Sequence, residues 1–188
     1  MNPPDAVSSE PAADPHGAGE SQPIYLPNSD TCYVCGRANP HGLHVRFRLS
    51  EDEVRADFVA DEHRCGFQGI VHGGVLSSLL DETMGWAPAY RKRLFCYAAE
   101  LRVRFVQPAP AGARLRVSGR MTADRVRVWE TEGEIRGEDG TLYARGWGKY
   151  MPMTPEQTVE VIRHLHFDAE TVPESDLLPQ SRSEKVEG

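Results

Sequence analysis

One segment near the middle of the chain has the periodicity of a long amphipathic helix. Its apolar side chains recur at spacings of three, four and five residues, close to one helical stripe. The positions are Val75, Leu76, Leu79, Leu80 and Met84. The helix is predicted from about Gly73 to Ala89, and Pro88 with the cationic run 91–93 marks its end. A single helix with one apolar stripe must be covered by other elements, which strongly limits the possible folds.

The segments on either side of this helix alternate apolar and polar residues, as half-buried strands do. Two predicted strands precede it and four follow it: 44–49, 54–59, 101–105, 114–117, 126–135 and 141–151. Residues 138–140 (Glu-Asp-Gly) predict a hairpin turn, and residues 154–157 (Thr-Pro-Glu-Gln) predict the capping box of a last short helix. This order predicts an α+β hotdog fold, in which an antiparallel sheet wraps around one long central helix.

Length and composition favour a single domain with an extension at each end. A chain of 188 residues with 39% hydrophobic content is long enough to bury one core. Residues 1–22 lack periodicity and predict a disordered leader, whereas residues 23–168 carry the domain. Residues 169–188, with two prolines and scattered charge, predict a flexible acidic tail.

Charge and cysteine content exclude several classes of protein. A formal net charge of −7 argues against nucleic-acid binding. No apolar run approaches the roughly 20 residues that a membrane span requires. The N-terminal stretch has no apolar core of the kind found in secretory signals, and the four cysteines are unevenly spaced. We therefore expect reduced thiols and a cytoplasmic location.

The start of the central helix carries the residues most typical of chemistry. The turn His72-Gly73-Gly74 leaves free backbone N–H groups that a substrate can approach, and these donors can hold a developing oxyanion. Asp81 interrupts the apolar stripe two turns later. Buried acids are rare unless they are paired or functional, and a carboxylate can act as a general base or as a nucleophile. The combination favours acyl transfer.

These residues resemble the hotdog-fold acyl-CoA thioesterases of the phenylacetate-pathway (PaaI-like) type, the 4-hydroxybenzoyl-CoA thioesterase superfamily. The resemblance rests on the run 69–74 (Gly-Ile-Val-His-Gly-Gly) with Asp81 nine positions after His72. Residues 100–108, 140–148 and the motif Cys-x-x-Cys-Gly at 32–36 support it. It implies hydrolysis of an acyl-CoA thioester without a metal or organic cofactor, by a homodimer or a dimer of dimers. Asp81 is then the catalytic carboxylate.

The resemblance also suggests roles for the residues around the turn. Gly73 is expected to donate its backbone N–H to the thioester oxygen, and His72 to orient the turn or to contact the substrate. Gly74 and Gln68 are candidate substrate contacts. Members of the family often carry an amide side chain six residues before the histidine, but this chain has Gly66 there. Three apolar helix residues are expected to line the acyl pocket with the sheet: Leu76, Leu80 and Met84.

Helix geometry predicts where the two halves of the site come from. Gly73 and Asp81 are eight residues apart, which is about 12 Å along a helix axis. One thioester carbonyl cannot contact both, since catalytic contacts are near 3 Å. If both act, they come from different subunits, and the site lies at a homodimer interface.

Other charged and thiol groups leave alternatives open. Six arginines occupy alternating positions on the predicted strands: Arg102, Arg104, Arg114, Arg116, Arg125 and Arg127. One interpretation places them on a solvated or intersubunit face of the sheet. The other is that one or two of them bind the phosphates of coenzyme A. The pair Cys32 and Cys35, followed by His41 and His44, suggests a zinc site. The two histidines, however, follow the cysteines too closely in the sequence for a standard zinc finger. Glu82 points about 100° away from Asp81 around the helix and is expected in solvent or at an interface, although it is the second candidate for the catalytic carboxylate.

Two other functions remain open from the sequence. A hotdog hydratase or dehydratase would also act on acyl thioesters, but it needs a catalytic histidine, and His72 sits at a turn. A non-catalytic acyl-CoA-binding dimer is compatible with the glycine at position 66.

Overall fold

The computed structural model describes residues 22–180 and contains one main antiparallel sheet with a long helix. The strands are β1 (Arg48–Ser50), β2 (Glu53–Val59), β3 (Cys65–Phe67), β4 (Ile70–Val71), β5 (Cys96–Phe105), β6 (Arg114–Asp124), β7 (Trp129–Gly137) and β8 (Leu142–Pro152). The helices are α1 (Gly73–Lys92) and α2 (Pro155–Ile162), with short 3-10 turns at Glu62–Arg64 and Glu174–Asp176.

Six strands form the main sheet in the order β1-β2-β6-β7-β8-β5, and β3 pairs only with β4. All strand pairs are antiparallel. Helix α1 lies against the inner face of this sheet, where its apolar stripe is covered by side chains such as Leu115, Val117 and Ile135, each 0% exposed. The predicted hotdog fold is confirmed.

A row of glycines brings α1 close to the sheet. Gly119, Gly133 and Gly146 are cross-strand neighbours on β6, β7 and β8. A Cβ atom at Gly133 would lie 2.7 Å from the carbonyl oxygen of Ser118 and 3.0 Å from Met84 Cγ. A Cβ atom at Gly119 would lie 2.9 Å from the carbonyl oxygen of Thr83. The row therefore provides the space into which the helix packs.

Helix α1 ends later than predicted. It continues through Pro88 to Lys92 and is terminated by Arg93, which has the left-handed conformation (φ 53°). Proline normally disrupts a helix interior because it removes one hydrogen bond and crowds the preceding turn. Here Trp86, Pro88 and Ala89 are all buried, so packing of the last two turns outweighs that local cost.

Two predicted strands also differ from the structure. Residues 44–47 are not part of a strand. His44 adopts the left-handed conformation (φ 56°), and the N–H of Val45 donates to the carbonyl of Val34 in the N-terminal segment. The strand predicted to begin at Val126 begins at Trp129. Residues 125–128 form the tight turn between β6 and β7, which leaves Val126 97% exposed.

The described C-terminal residues pack on the domain, in contrast to the expected flexible tail from residue 169. Val172 and Leu177 are 2% and 0% exposed, and Val172 N–H donates to the carbonyl of Tyr25. Val172 and Leu177 thus belong to the core. The predicted capping box of α2 is present, formed by Thr154 and Gln157. The rest of the predicted tail (181–188) and residues 1–21 of the predicted leader lie outside the described residues.

Candidate functional site

The turn before α1 leaves one backbone donor free. His72 is the N-cap residue, and its Nδ1 accepts a hydrogen bond from the N–H of Gly74 at 2.8 Å. The N–H groups of Val75 and Leu76 both donate to the carbonyl of His72. Within residues 22–180, the N–H of Gly73 has no acceptor. The predicted donor therefore remains available, whereas the N–H of Gly74, a predicted substrate contact, is occupied by His72.

An apolar cavity of about 610 Å³ adjoins Gly73. Its lining includes Phe67, His72, Gly73, Leu76, Phe105 and Val106. The ring of Phe105 covers the glycine, because a Cβ atom at Gly73 would lie 3.2 Å from Phe105 Cζ. Leu76 lines this cavity, without Leu80 or Met84. Gln68 is exposed at the tip of the β3–β4 hairpin and does not contribute to the lining.

Asp81 faces a second, smaller cavity of about 270 Å³. The hydroxyl of Tyr150, on β8, lies 2.9 Å from Asp81 Oδ1 and donates to it. Burial raises the pKa of Asp81 above that of an ordinary aspartate, although the Tyr150 hydrogen bond acts in the opposite direction. Burial also raises the pKa of Tyr150, so this phenol stays a proton donor to the carboxylate.

Leu80 and Met84, which were predicted to line the acyl pocket, belong to the core instead. Both are 0% exposed and pack against Gly133 and Gly146 of the sheet. They point to the sheet side of α1, and the glycine row leaves no space between them and the strands. The cavity beside Asp81 is formed on another side of the helix, mainly by Gly85, Trp86, Ala89, Phe95, Cys96, Ala98, Val161 and Leu165.

The sequence predicted that Glu82 lies in solvent or at an interface, but it is partly buried within the chain and contacts Cys32. Its Oε2 lies 3.0 Å from Sγ of Cys32, and Cys35 completes the group. Burial raises the pKa of Glu82 to about 8. Hydrogen bonding with the Cys35 side chain, and to a smaller extent with Glu82, lowers the pKa of Cys32 to about 5. These three residues line the same cavity as Asp81.

The two histidines that follow the cysteines do not join this group. Nε2 of His44 is hydrogen-bonded to the carbonyl of Asn39 at 2.6 Å, and His41 is exposed. The third member is Glu82, which is 50 positions from Cys32 along the chain. No local spacing could have revealed it. The same holds for Tyr150, which is 69 positions from Asp81.

The alternating arginines divide into two groups. Arg114 and Arg116 pair with Glu138 and Asp57 on the outer face of the sheet, and Arg125, in the turn between β6 and β7, pairs with Glu130. Arg102 lies over the ring of Trp147, 5.7 Å from its centroid. Among the described residues, Arg102, Arg104 and Arg127 have no carboxylate partner, which leaves them available for other anions.

The middle of the chain matches a known family. Residues 68–144 match the family model described as the thioesterase superfamily. This range includes the His72 turn and all of α1 and ends within β8. No curated protein matches the chain.

Solved structures with the same fold include thioesterase superfamily proteins. One of them is 30% identical with a TM-score of 0.61; the match covers 64% of this chain and 60% of that one, so this chain spans only part of its length. The Escherichia coli PaaI protein of the phenylacetic acid degradation operon has 19% identity and a TM-score of 0.56, over 60% of this chain and 81% of that one. The predicted resemblance to the thioesterase superfamily is confirmed, and the PaaI protein shares the fold.

A third structure is similar in fold alone. It is a Streptococcus mutans UA159 protein with acetyl-CoA bound, 13% identical, with a TM-score of 0.53 over 56% of this chain and 84% of that one. Among residues 22–180 of the present chain, no helix has the length and apolar character needed to cross a bilayer.

Proposed function

We propose that this protein hydrolyses acyl-CoA thioesters to a carboxylate and free coenzyme A. The observation that carries the proposal is the setting of Asp81. It is a half-buried carboxylate with a hydrogen-bond donor, Tyr150, and it faces a largely apolar cavity. Within a thioesterase-superfamily fold, this is the arrangement expected of a general base or a nucleophile.

In the proposed reaction, Asp81 removes a proton from water while the water oxygen attacks the thioester carbonyl carbon. The carbonyl oxygen becomes negative and is held by the N–H of Gly73, at the positive end of the α1 dipole. The C–S bond then breaks, and the proton passes to the departing sulfur of coenzyme A. Tyr150 holds the carboxylate in place and favours its ionised form.

A second copy of the chain completes this site in the proposal. The cavity beside Asp81 and the cavity beside Gly73 share no lining residue, in agreement with the distance of about 12 Å that helix geometry gives. Two α1 helices side by side in a symmetric dimer would bring the Asp81 of one chain to the Gly73 of the other. The exposed Phe67 and Phe105, at 78% and 52%, would then be covered.

Coenzyme A is the thiol we favour, for two reasons. The Streptococcus mutans neighbour binds acetyl-CoA on the same fold. In this chain, Arg102 and Arg104 on the edge strand β5 have no carboxylate partner among residues 22–180, and arginine is well suited to phosphate groups.

The direct test is thiol release from a panel of acyl-CoAs by the wild type and by Asp81→Asn. The amide keeps the size of the side chain but cannot accept a proton, so we expect turnover to fall by roughly 10²–10⁴-fold. Asp124→Asn, at an exposed ion pair with Lys92, is the matched control and should leave turnover unchanged. Full activity in Asp81→Asn would exclude this mechanism. Hydration of crotonyl-CoA would favour a hydratase. Tight binding of acyl-CoA without thiol release would favour a non-catalytic acyl-CoA-binding dimer.

The role of the Gly73 N–H can be tested with a matched pair of variants. Gly73→Pro removes this N–H, and proline is well tolerated at the first position of a helix after an extended residue such as His72. Gly73→Ala adds the same Cβ atom against Phe105 but keeps the N–H. We expect kcat to fall by about 10²–10³-fold in the proline variant relative to the alanine variant. Equal kcat values would contradict the assignment of Gly73.

A further inference from the structure

We propose that Cys32, Cys35 and Glu82 form a binding site for a divalent, thiophilic metal ion, with Zn²⁺ as the best match. The three side chains come from the segment before β1 and from α1, and nothing in the proposed hydrolysis uses them. The site stands apart from the proposed function, because its existence does not depend on thioester chemistry.

The distances suit one shared ion. The two sulfur atoms and a carboxylate oxygen all lie within 4.8 Å of one another. Zinc bonds thiolate at about 2.3 Å and carboxylate oxygen at about 2.0–2.2 Å, so its tetrahedral ligands lie roughly 3.5–4 Å apart. A small inward movement of flexible side chains is enough to reach this geometry. Thiolates with one carboxylate favour zinc over magnesium or calcium, which prefer oxygen ligands alone.

The backbone of the loop that carries the cysteines holds the sulfur of Cys32 in a fixed position. The backbone N–H groups of Val34 and Cys35 both point at Sγ of Cys32, at 3.3 and 3.4 Å. Gly36 closes the turn, with its N–H donating to the carbonyl of Cys32. A Cβ atom at Gly36 would lie 2.4 Å from that carbonyl oxygen, so only glycine fits. Backbone donors around a ligating sulfur orient it and stabilise its negative charge.

A bound cation would also offset the negative charge of the Glu82 carboxylate. Glu82 is largely enclosed beside two thiols, and no lysine, arginine or histidine of the described residues forms an ion pair with it. A buried carboxylate without a positive partner is costly unless it is neutralised or coordinates a metal. When all three ligands are ionised they carry three negative charges, and a divalent ion would compensate two of them.

The proposed site would have one open coordination position. Three protein ligands leave the fourth to water, and the cavity of about 270 Å³ that the three residues line offers the space for it. The ion would fasten residues 29–36 to α1, one residue away from Asp81. Its expected effect is to hold this wall of the cavity in place.

The test is the metal content and metal affinity of the full-length protein. We expect about one Zn²⁺ per chain in protein purified without chelator. After chelation, added Co²⁺ should give a thiolate-to-metal charge-transfer band. Cys32→Ser and Glu82→Gln should weaken Zn²⁺ binding by on the order of 10–100-fold or more. Cys65→Ser, which changes a half-buried cysteine outside the group, is the matched control and should bind as the wild type does.

A second measurement uses only the wild type and therefore does not depend on the folding of any variant. In the wild type, Zn²⁺ should protect two of the four thiols from alkylation, and mass spectrometry should locate them at Cys32 and Cys35. Absence of stoichiometric metal with no Co²⁺ band would overturn the proposal. So would a Cys32–Cys35 disulfide in protein handled without oxidant, or equal affinity in Cys65→Ser and Cys32→Ser. None of these readouts requires thioesterase activity.

Discussion

At the scale of single residues, two adjacent carboxylates on α1 have entirely different surroundings. Asp81 accepts a hydrogen bond from Tyr150 of β8, whereas Glu82 lies against Cys32. The difference follows from helix geometry, because successive side chains point about 100° apart. Both carboxyl groups are partly removed from water, and the pKa of each is raised by burial. For Asp81 the hydrogen bond from Tyr150 acts against this rise, whereas for Glu82 the neighbouring Cys32 adds to it.

Tyr150→Phe should move the acid limb of the pH profile. The Tyr150 hydroxyl stabilises the Asp81 carboxylate and so lowers its pKa, against the larger effect of burial. Its removal should raise the pKa of Asp81 further. Because the base must be ionised, the acid limb of kcat/KM for thiol release should shift to higher pH. Tyr143→Phe, on the same strand, is the control and should leave the limb in place. An acid limb that does not move would show that another group titrates.

At the scale of elements, the position of α1 depends on the glycines of the strands beneath it. Gly119, Gly133 and Gly146 allow Leu80 and Met84 to approach the sheet backbone, which explains why these two side chains fill the core. The same contact fixes which side of the helix faces the cavities. The apolar stripe was correctly predicted from its spacing, but its division between core and cavity depends on the facing strands.

Gly133→Ala should destabilise the protein by about 1–3 kcal/mol, the usual cost of overpacking a core. The added Cβ atom would meet the backbone oxygen of Ser118 at 2.7 Å, and a backbone atom cannot rotate away. Urea unfolding measures the change. Gly85→Ala is the matched control, because its Cβ atom has only ordinary contact with Tyr150 and alanine favours the helix by up to about 1 kcal/mol. Equal destabilisation by both variants would contradict the role given to the glycine row.

At the scale of the whole molecule, one chain carries the parts of the proposed site in two separate places. The Gly73 donor adjoins one cavity and Asp81 adjoins the other. Strand β5 is an edge of the sheet, and large apolar side chains such as Phe67 and Phe105 are exposed. Exposed apolar clusters of this kind usually mark an interface.

Mixing two inactive variants tests the shared site. In a dimer formed by one Asp81→Asn chain and one Gly73→Pro chain, one of the two sites keeps both native groups. Random exchange of subunits should therefore restore about a quarter of wild-type turnover. Light scattering should give at least twice the mass of one chain. A monomeric species with full turnover, or no recovery in mixtures shown to contain mixed dimers, would contradict a site built from two chains.

Much of the fold was predictable because its signals are local. The stripe on α1, the hairpin at residues 138–140 and the capping box of Thr154 each depend on neighbouring positions, and all three are present in the structure. Pro88 misled the prediction of the helix end, since local propensity gave way to packing. Val126 was assigned to a strand for its alternation, but hairpin geometry placed it in a turn.

The sequence by itself determined the order of α1 and the strands of the main sheet, the free N–H at the start of α1 and the placing of a carboxylate two turns further on. These depend on spacing along one helix. Tertiary structure alone decided the partners of that carboxylate and of its neighbour, because Tyr150 and Cys32 reach them from 69 and 50 positions away. Contacts at such separations are created only when the sheet closes around the helix, and no short-range pattern records them.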